Sequence, residues 1–492
     1  MKRRALPALA VAGAGLGIGL RVWILLSHQG ALDSDEAVVG LMARGILHGR
    51  FPVFFPGQGY GGSQEAFLSA PLVAAFGLHV WTIRVATIAL WAASAVLVWR
   101  IGRRVLDERR AVLAAVLFWF WPTYFDWKST RAHGFYGSEL FLGLVVLLLI
   151  LRLRERRSLR DLVLLGLALG CGLWSSPQVA IVALPSLGWL LWGRRSLARD
   201  WWIVLGCGIV GALPWLIGNI HHGWYSLHPG RNEGTWLNHV HNLVVSTLPE
   251  ALGLRLAWSY EWLGGVDVEL VIYALLAGGF LVLLWRRPPQ LAPLLVTVLV
   301  FPIFYFVSPY TWLESEPRYL ALVMPIFALL IASALTSAWR AAAVLSLAAA
   351  LSIGGMAELD RHHVVEFRTE GVAVPATIQP VLETLRAHDL HYAFASYWIA
   401  WRITFESDLK IVGGRASYGV PFIRNGRVDP GEKPHDRGFW PSYYAQVAAH
   451  RQAAHVFVLG GNVEPKVRPL LRRAGYTRVV SGRFAVWIPP GT

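Results

Sequence analysis

A chain of 492 residues with 55% hydrophobic side chains and a mean hydropathy of +0.47 carries more apolar surface than a soluble protein of this size would hold. Its formal net charge of +15, from 45 Lys and Arg against 30 Asp and Glu, suggests nucleic acid only until the distribution is read. The arginines cluster in short loops between apolar runs, at 100–110, 152–160, 194–199, 286–287 and Arg340, which is how basic residues set membrane topology.

In chain order, the first apolar run is 5–26, behind Lys2, Arg3 and Arg4, which hold that side in the cytoplasm. It has no small-x-small cleavage site and reads as an anchor. Further runs at 80–101, 111–126, 138–153, 162–176, 178–193, 201–219, 268–285, 290–307, 318–337 and 341–356 bring the expected spans to about eleven, each near the roughly 20 residues that cross about 30 Å of hydrocarbon. A β-barrel would show short alternating segments instead. Counted from a cytoplasmic N-terminus, every basic cluster falls inside, and 27–79, 127–137, 220–267, 308–317 and everything beyond 357 fall outside. The fold class expected is thus an all-α polytopic bundle. The 24 tryptophans suit interfacial belts, and Cys171 and Cys207 read as small hydrophobes within apolar runs.

The first outer loop, 27–79, has structure of its own. Val38, Leu41, Met42, Gly45 and Ile46 recur at helical spacing, which predicts an interfacial helix over 36–48. A second helix is expected over 64–78, interrupted by Pro71, with a Pro/Gly-punctuated turn region at 51–62 between them. Beyond 357 the composition becomes that of a soluble domain. Helices are expected at 378–387 and 463–474, and strands at 391–395, 410–412, 455–459 and 478–481. This divides the chain into a membrane part, 1–356, and a small extracytoplasmic α/β domain, 357–492.

Chemistry gathers at the outer mouths. Asp33-Ser34-Asp35-Glu36 follows the first span. A carboxylate there can act as a general base, and two of them can hold a hard divalent cation. The same residues suit the N-cap and first turn of the next helix, and the two roles are compatible. Glu65, at the end of a glycine-rich stretch, can add a carboxylate. The segment from Asp126 to Glu139 packs Lys128, Arg131 and His133 beside a span. Arg131, with Lys128 or His133, suits contacts to a lipid phosphate, against the simpler reading of interfacial snorkelling. Asp126 and Glu139 form a second acidic element or pair with neighbouring cations. Arg318, before Tyr319, stands outside against the positive-inside trend, unless it only pairs with Glu314 or Glu316 at the surface. His221, His222, His239 and His241 share one outer loop without an acid at fixed spacing, which does not favour a metal site. Leu459-Gly460-Gly461-Asn462 mimics half of a phosphate loop, but the full pattern is absent.

Asp35-Glu36-Ala37, followed by Arg44, Gly49 and Pro52, resembles the first-loop signature of the GT-C superfamily of glycosyltransferases, which includes protein O-mannosyltransferases and bacterial aminoarabinose transferases. The order of parts is similar over the whole chain, and the resemblance is sharp over about residues 32–65. It implies transfer of a sugar from a polyprenyl-phosphate donor to an acceptor hydroxyl on a lipid, glycan or protein, outside the cytoplasm. Asp35 would be the base, with inversion at the anomeric carbon. Glu36 would orient it or bind metal, and Arg318 with Tyr319 would lie near the donor phosphate. Some members need a divalent metal such as Mg or Mn, which leaves Asp33, Asp35 and Glu36 as the ligands to test. The partners implied are the lipid-linked sugar and membrane lipids. The rival class is a transporter or lipid flippase, which would show internal repeats and midplane polar groups that this sequence lacks; an inactive scaffold of the same fold is a second rival.

Overall fold

Proline and small residues decide which apolar runs become long helices here. The computed structural model describes residues 5–228, 234–259, 261–308, 311, 317–364, 367–419, 421–424, 427–431, 443–450 and 452–491. Six helices among them are long and apolar enough to cross a membrane: Leu6–Leu26, Val80–Val105, Tyr136–Glu155, Val266–Arg286, Pro289–Val307 and Ala338–Arg361. A seventh span forms if Arg195–Gly211 and Leu213–His221, bent by 55° beside Pro214, are one broken helix. The chain is a multi-pass membrane protein, and several of its apolar runs are broken into shorter helices. The run at 111–126 stops as a helix at Phe120, because Pro122 cannot continue it, and resumes as the short Thr123–Lys128 helix. The run at 318–337 opens as a 3-10 turn, Pro317–Leu320, and is helical only over Met324–Ala334. Glu314 and Glu316 lie outside the described residues.

The bundle core joins Leu20, Ile24, Trp91, Leu117, Leu144 and Met324, all buried. Elsewhere backbones touch directly. A Cβ built at Gly170 would stand 2.1 Å from the carbonyl oxygen of Gly208, so the Leu159–Ser175 and Trp201–Gly211 helices meet through a seam of small residues. At one end of the bundle the arginine loops are tied together. Arg104 pairs with Glu155, Arg152 with Asp161 at 2.7 Å, and Arg157 with Asp200 at 2.7 Å.

The opposite end carries the loop helices and the C-terminal domain. The first loop folds as Ser34–Leu47 (the acidic helix) and Gln64–Phe76 (the second loop helix), joined through a short hairpin of Phe54–Phe55 with Gln58–Gly62. The last long helix runs to Arg361, past the expected boundary at 356. The domain beyond it is built on a five-stranded sheet in the order Thr477–Ser481, Phe484–Ile488, Ala453–Val458, Tyr392–Ala395, Val412–Arg415. The first two join in an antiparallel hairpin, and the last three run parallel. The strand expected at 410–412 begins only at Val412. A helix absent from the sequence reading, Tyr397–Glu406 (the docking helix), makes the crossover between the strands Tyr392–Ala395 and Val412–Arg415. It packs along the acidic helix in the same direction: Ser34 meets Tyr397, Gly40 meets Phe405 and Arg44 meets Asp408.

Candidate active site

The three acids of the first loop have three different surroundings. Asp33 is the N-cap of the acidic helix, and its Oδ1 accepts the Glu36 N–H at 2.9 Å. Its Oδ2 lies 2.7 Å from His133 Nε2, while His133 Nδ1 lies 2.6 Å from Lys128 Nζ. The ammonium can only donate, so Nδ1 accepts and Nε2–H donates to Asp33. Burial by itself would raise the Asp33 pKa, but the His133 contact, Arg131 and the Glu36 N–H outweigh it and hold this carboxyl below the usual range.

Glu36 is fully buried and clamped. Arg84 grips it with Nε at 2.7 Å from Oε1 and Nη2 at 2.5 Å from Oε2, and Arg131 Nη1 adds a contact at 2.7 Å to Oε2. The same guanidiniums tie down the loop backbone: Arg84 donates to the Gly30 carbonyl at 2.9 Å, and Arg131 donates to those of Ala31 and Gln29. Burial pushes the Glu36 pKa up, yet Arg84 and Arg131 prevail and keep it ionised. Arg131 is therefore engaged with Glu36 and two carbonyls.

Asp35 is the partly exposed member. The Tyr397 hydroxyl donates to its Oδ1 at 2.5 Å. Its Oδ2 makes no protein hydrogen bond among the described residues. Burial raises its pKa most strongly, and the Asp33 charge adds to it; Tyr397 and Lys128 oppose it, leaving a net rise. A partly accessible carboxylate with one oxygen fixed, one oxygen open and a raised pKa is arranged to accept a proton.

Glu65 opens the second loop helix but faces inward. It accepts from Thr87 Oγ1 at 2.8 Å and from the N–H groups of Gly137 at 2.7 Å and Ser138 at 3.3 Å, so it caps the Tyr136–Glu155 helix from outside. Asp126 belongs to another place. It pairs with Arg21 of the first span at 3.2 Å and is buried. Glu139, one turn into its span, is buried near Ser176 and within the field of Lys128.

The cations separate as well. Lys128 Nζ stands 4.1 Å from the centroid of the Tyr136 ring, and Arg318 Cζ stands 5.9 Å from the same ring and 5.4 Å from that of Tyr319. Two cations from distant parts of the sequence thus flank one tyrosine. No group of three or more His, Cys, Asp or Glu among the described residues is placed to hold a metal ion. The oxygens of Asp33 and Glu36 are committed to His133, Arg84 and Arg131, so the expected ligand trio does not fit a Mg or Mn ion. In the histidine loop, His239 contacts Thr311 Oγ1 at 3.0 Å.

Two residues of the site escaped the sequence reading. Arg84 had a signal: it lies in the first turns of the Val80–Val105 span, on the side of the loops, against the positive-inside trend that singled out Arg318. Tyr397 had none, because nothing local ties a tyrosine at 397 to an aspartate at 35.

Comparison with known proteins bears on the same architecture. The family model for dolichyl-phosphate-mannose-protein mannosyltransferase matches residues 66–217. Among solved structures, ArnT from Cupriavidus metallidurans bound to undecaprenyl phosphate superposes with a TM-score of 0.63 at 12% identity, over 100% of this chain and 99% of that one. Its apo form gives 0.62 at 12% identity, over 98% of each chain. The Archaeoglobus fulgidus oligosaccharyltransferase tethered to an acceptor peptide gives 0.54 at 15% identity, over 96% of this chain and 70% of that one. No curated protein sequence matches the chain. The resemblance to GT-C membrane glycosyltransferases read from the first loop is thus shared by the fold of the whole chain.

Proposed function

We propose that this chain is a membrane glycosyltransferase that moves a sugar from a polyprenyl-phosphate carrier to an acceptor hydroxyl, at the membrane face that bears the C-terminal domain. The observation that carries the reading is the contrast among the three acids: Asp33 and Glu36 are consumed by structural contacts, and Asp35 alone among them presents an oxygen with no protein partner. Support for a lipid-linked donor comes from the shared fold with an enzyme whose structure holds undecaprenyl phosphate.

In this mechanism Asp35 Oδ2 takes the proton of the acceptor hydroxyl. The freed oxygen attacks the anomeric carbon, its bond to the phosphate oxygen breaks, and the polyprenyl phosphate leaves with the electron pair. Attack opposite the leaving group inverts the anomeric configuration. Lys128 and Arg318, beside Tyr136 and Tyr319, neutralise the departing phosphate, which is stabilisation of developing charge. His133 links Lys128 to Asp33, and Arg131 secures Glu36 beneath the base. No step is routed through a metal.

The test is consumption of a panel of polyprenyl-phosphate-linked pentoses and hexoses by purified protein in liposomes. The wild type should consume one of them, and Asp35→Asn should lose on the order of 100- to 10,000-fold in rate. Equal consumption by both would remove Asp35 from the role of base. Consumption by neither, with solute or lipid flux in the same vesicles, would favour the transporter. Activity that survives a chelator accords with the arrangement of the acids, and activity abolished by it would place an ion in the site.

A further inference from the structure

We propose that Tyr397, from the C-terminal domain, is the positioning residue for Asp35, so that this domain completes the site. The inference rests on Asp35 being the base. An aspartate side chain on a helix N-terminus can turn either oxygen towards an acceptor, and one turned away cannot take the proton. Tyr397 removes that freedom by donating to Oδ1 at 2.5 Å, which leaves Oδ2 to face the acceptor.

The tyrosine is itself held in place. Ser34 Oγ donates to the Tyr397 carbonyl at 2.7 Å, so the residue beside Asp35 grips the residue that orients it. Arg415 lies over the Tyr397 ring, with its Cζ 5.0 Å from the centroid. Tyr397 and Arg415 stand at or just past the carboxyl ends of the adjacent parallel strands Tyr392–Ala395 and Val412–Arg415. The chain runs from Tyr392–Ala395 to a neighbour on one side and then to Ala453–Val458 on the other, which makes this edge a topological switch point, where open α/β sheets present ligand-handling groups. That edge is turned onto Asp35.

The groups that face Asp35 are Asp33 on its own helix, His133 and Lys128 from the 128–133 loop, and Tyr397 backed by Arg415 from the domain. Tyr397 favours the ionised carboxylate, so its removal should raise the Asp35 pKa.

The measurement is the pH dependence of carbodiimide modification of Asp35, followed by mass spectrometry on the full chain in liposomes, since only the protonated carboxyl reacts. In Tyr397→Phe the midpoint should move up by about one pH unit. The acid limb of the turnover profile should move with it, and kcat should fall about tenfold while KM for the lipid-linked sugar changes little. Incorporation of 3,5-difluorotyrosine at 397, a stronger donor of unchanged shape, should move the midpoint down. Asp408→Ala, which loosens the far end of the same docking helix, should leave it in place. An unmoved midpoint in both Tyr397 variants would overturn the inference, whatever their activity. A moved midpoint alongside a fully active Asp35→Asn would instead sink the assignment of the base and leave the contact standing.

Discussion

At the scale of single residues, Asp35 and Glu36 are neighbours in opposite surroundings, one partly exposed and the other fully buried. Glu36 is enclosed with two guanidiniums, and replacing it by a neutral amide leaves Arg84 and Arg131 buried without a counter-charge. Breaking such a cluster from one side costs roughly 3–5 kcal/mol. Glu36→Gln should therefore lower the thermal midpoint of the purified protein in detergent sharply, whereas Asp35→Asn should melt near the wild type, because only the Tyr397 contact changes. The pH dependence follows the same sign. A carboxyl held below its unfolded value contributes stability that is present above that value and is lost as pH falls through the folded one. Acid should thus destabilise the wild type in a window that Glu36→Gln lacks. Equal melting of the two variants would mean that Glu36 is not the anchor. The Asp-Glu pair was legible in the sequence, but the two guanidiniums that clamp Glu36 were not. Arg84 and Arg131 lie far along the chain, and only the folded bundle brings them to one carboxylate.

At the scale of elements, the decisive contact is the parallel packing of the docking helix on the acidic helix. Its far end closes on Arg44 and Asp408, 3.4 Å apart, whose side chains are 37% and 55% exposed. They border a water-accessible cleft of about 520 Å³, lined also by His79, Gln379 and Glu406. A pair so exposed adds little, so the docking depends on apolar fit. Gly40 makes that fit possible: a Cβ built there would stand 2.3 Å from Phe405 Cε2. Gly40→Leu should push the docking helix outward, separate Tyr397 from Asp35 and reduce turnover about tenfold or more, with a stability loss of roughly 1–3 kcal/mol from overpacking. Phe405→Ala in the same chain should recover part of the turnover, since it vacates the space. Failure of the pair to recover any would indicate that Gly40 serves something other than this contact. The acidic helix was readable because its stripe and cap are local. The docking helix was not anticipated, although Ile399, Ala400 and Ile403 are buried at helical spacing, because its short mixed run sits directly between two strands.

At the scale of the whole molecule, hydropathy located the apolar runs, and among the described residues six of them form single helices long and apolar enough to cross a membrane. The average over a window sees composition, whereas Pro122, Pro214 and Pro317 act through single backbone positions. Charge carries the remaining question, which is orientation. The arginine loops pair with one another at one end of the bundle, and the acidic helix, the 128–133 loop and the C-terminal domain gather at the other. The positive-inside rule would put the arginine end in the cytoplasm, and a lipid-linked donor makes sense only if the Asp35 end faces away from the nucleotide-sugar pool. This can be decided with single cysteines in a chain whose Cys171 and Cys207 are replaced by serine. Glu383→Cys lies on an exposed turn of the Gln379–Ala387 helix in the C-terminal domain, and Leu159→Cys, 61% exposed, lies between Arg157 and Arg160. Neither change removes a topology-setting arginine. A membrane-impermeant maleimide should label Glu383→Cys in intact cells and Leu159→Cys only after the membrane is opened. The reverse pattern would put Asp35 on the cytoplasmic side, where soluble activated sugars are at hand, and the case for a polyprenyl-phosphate donor would lose its physical motive.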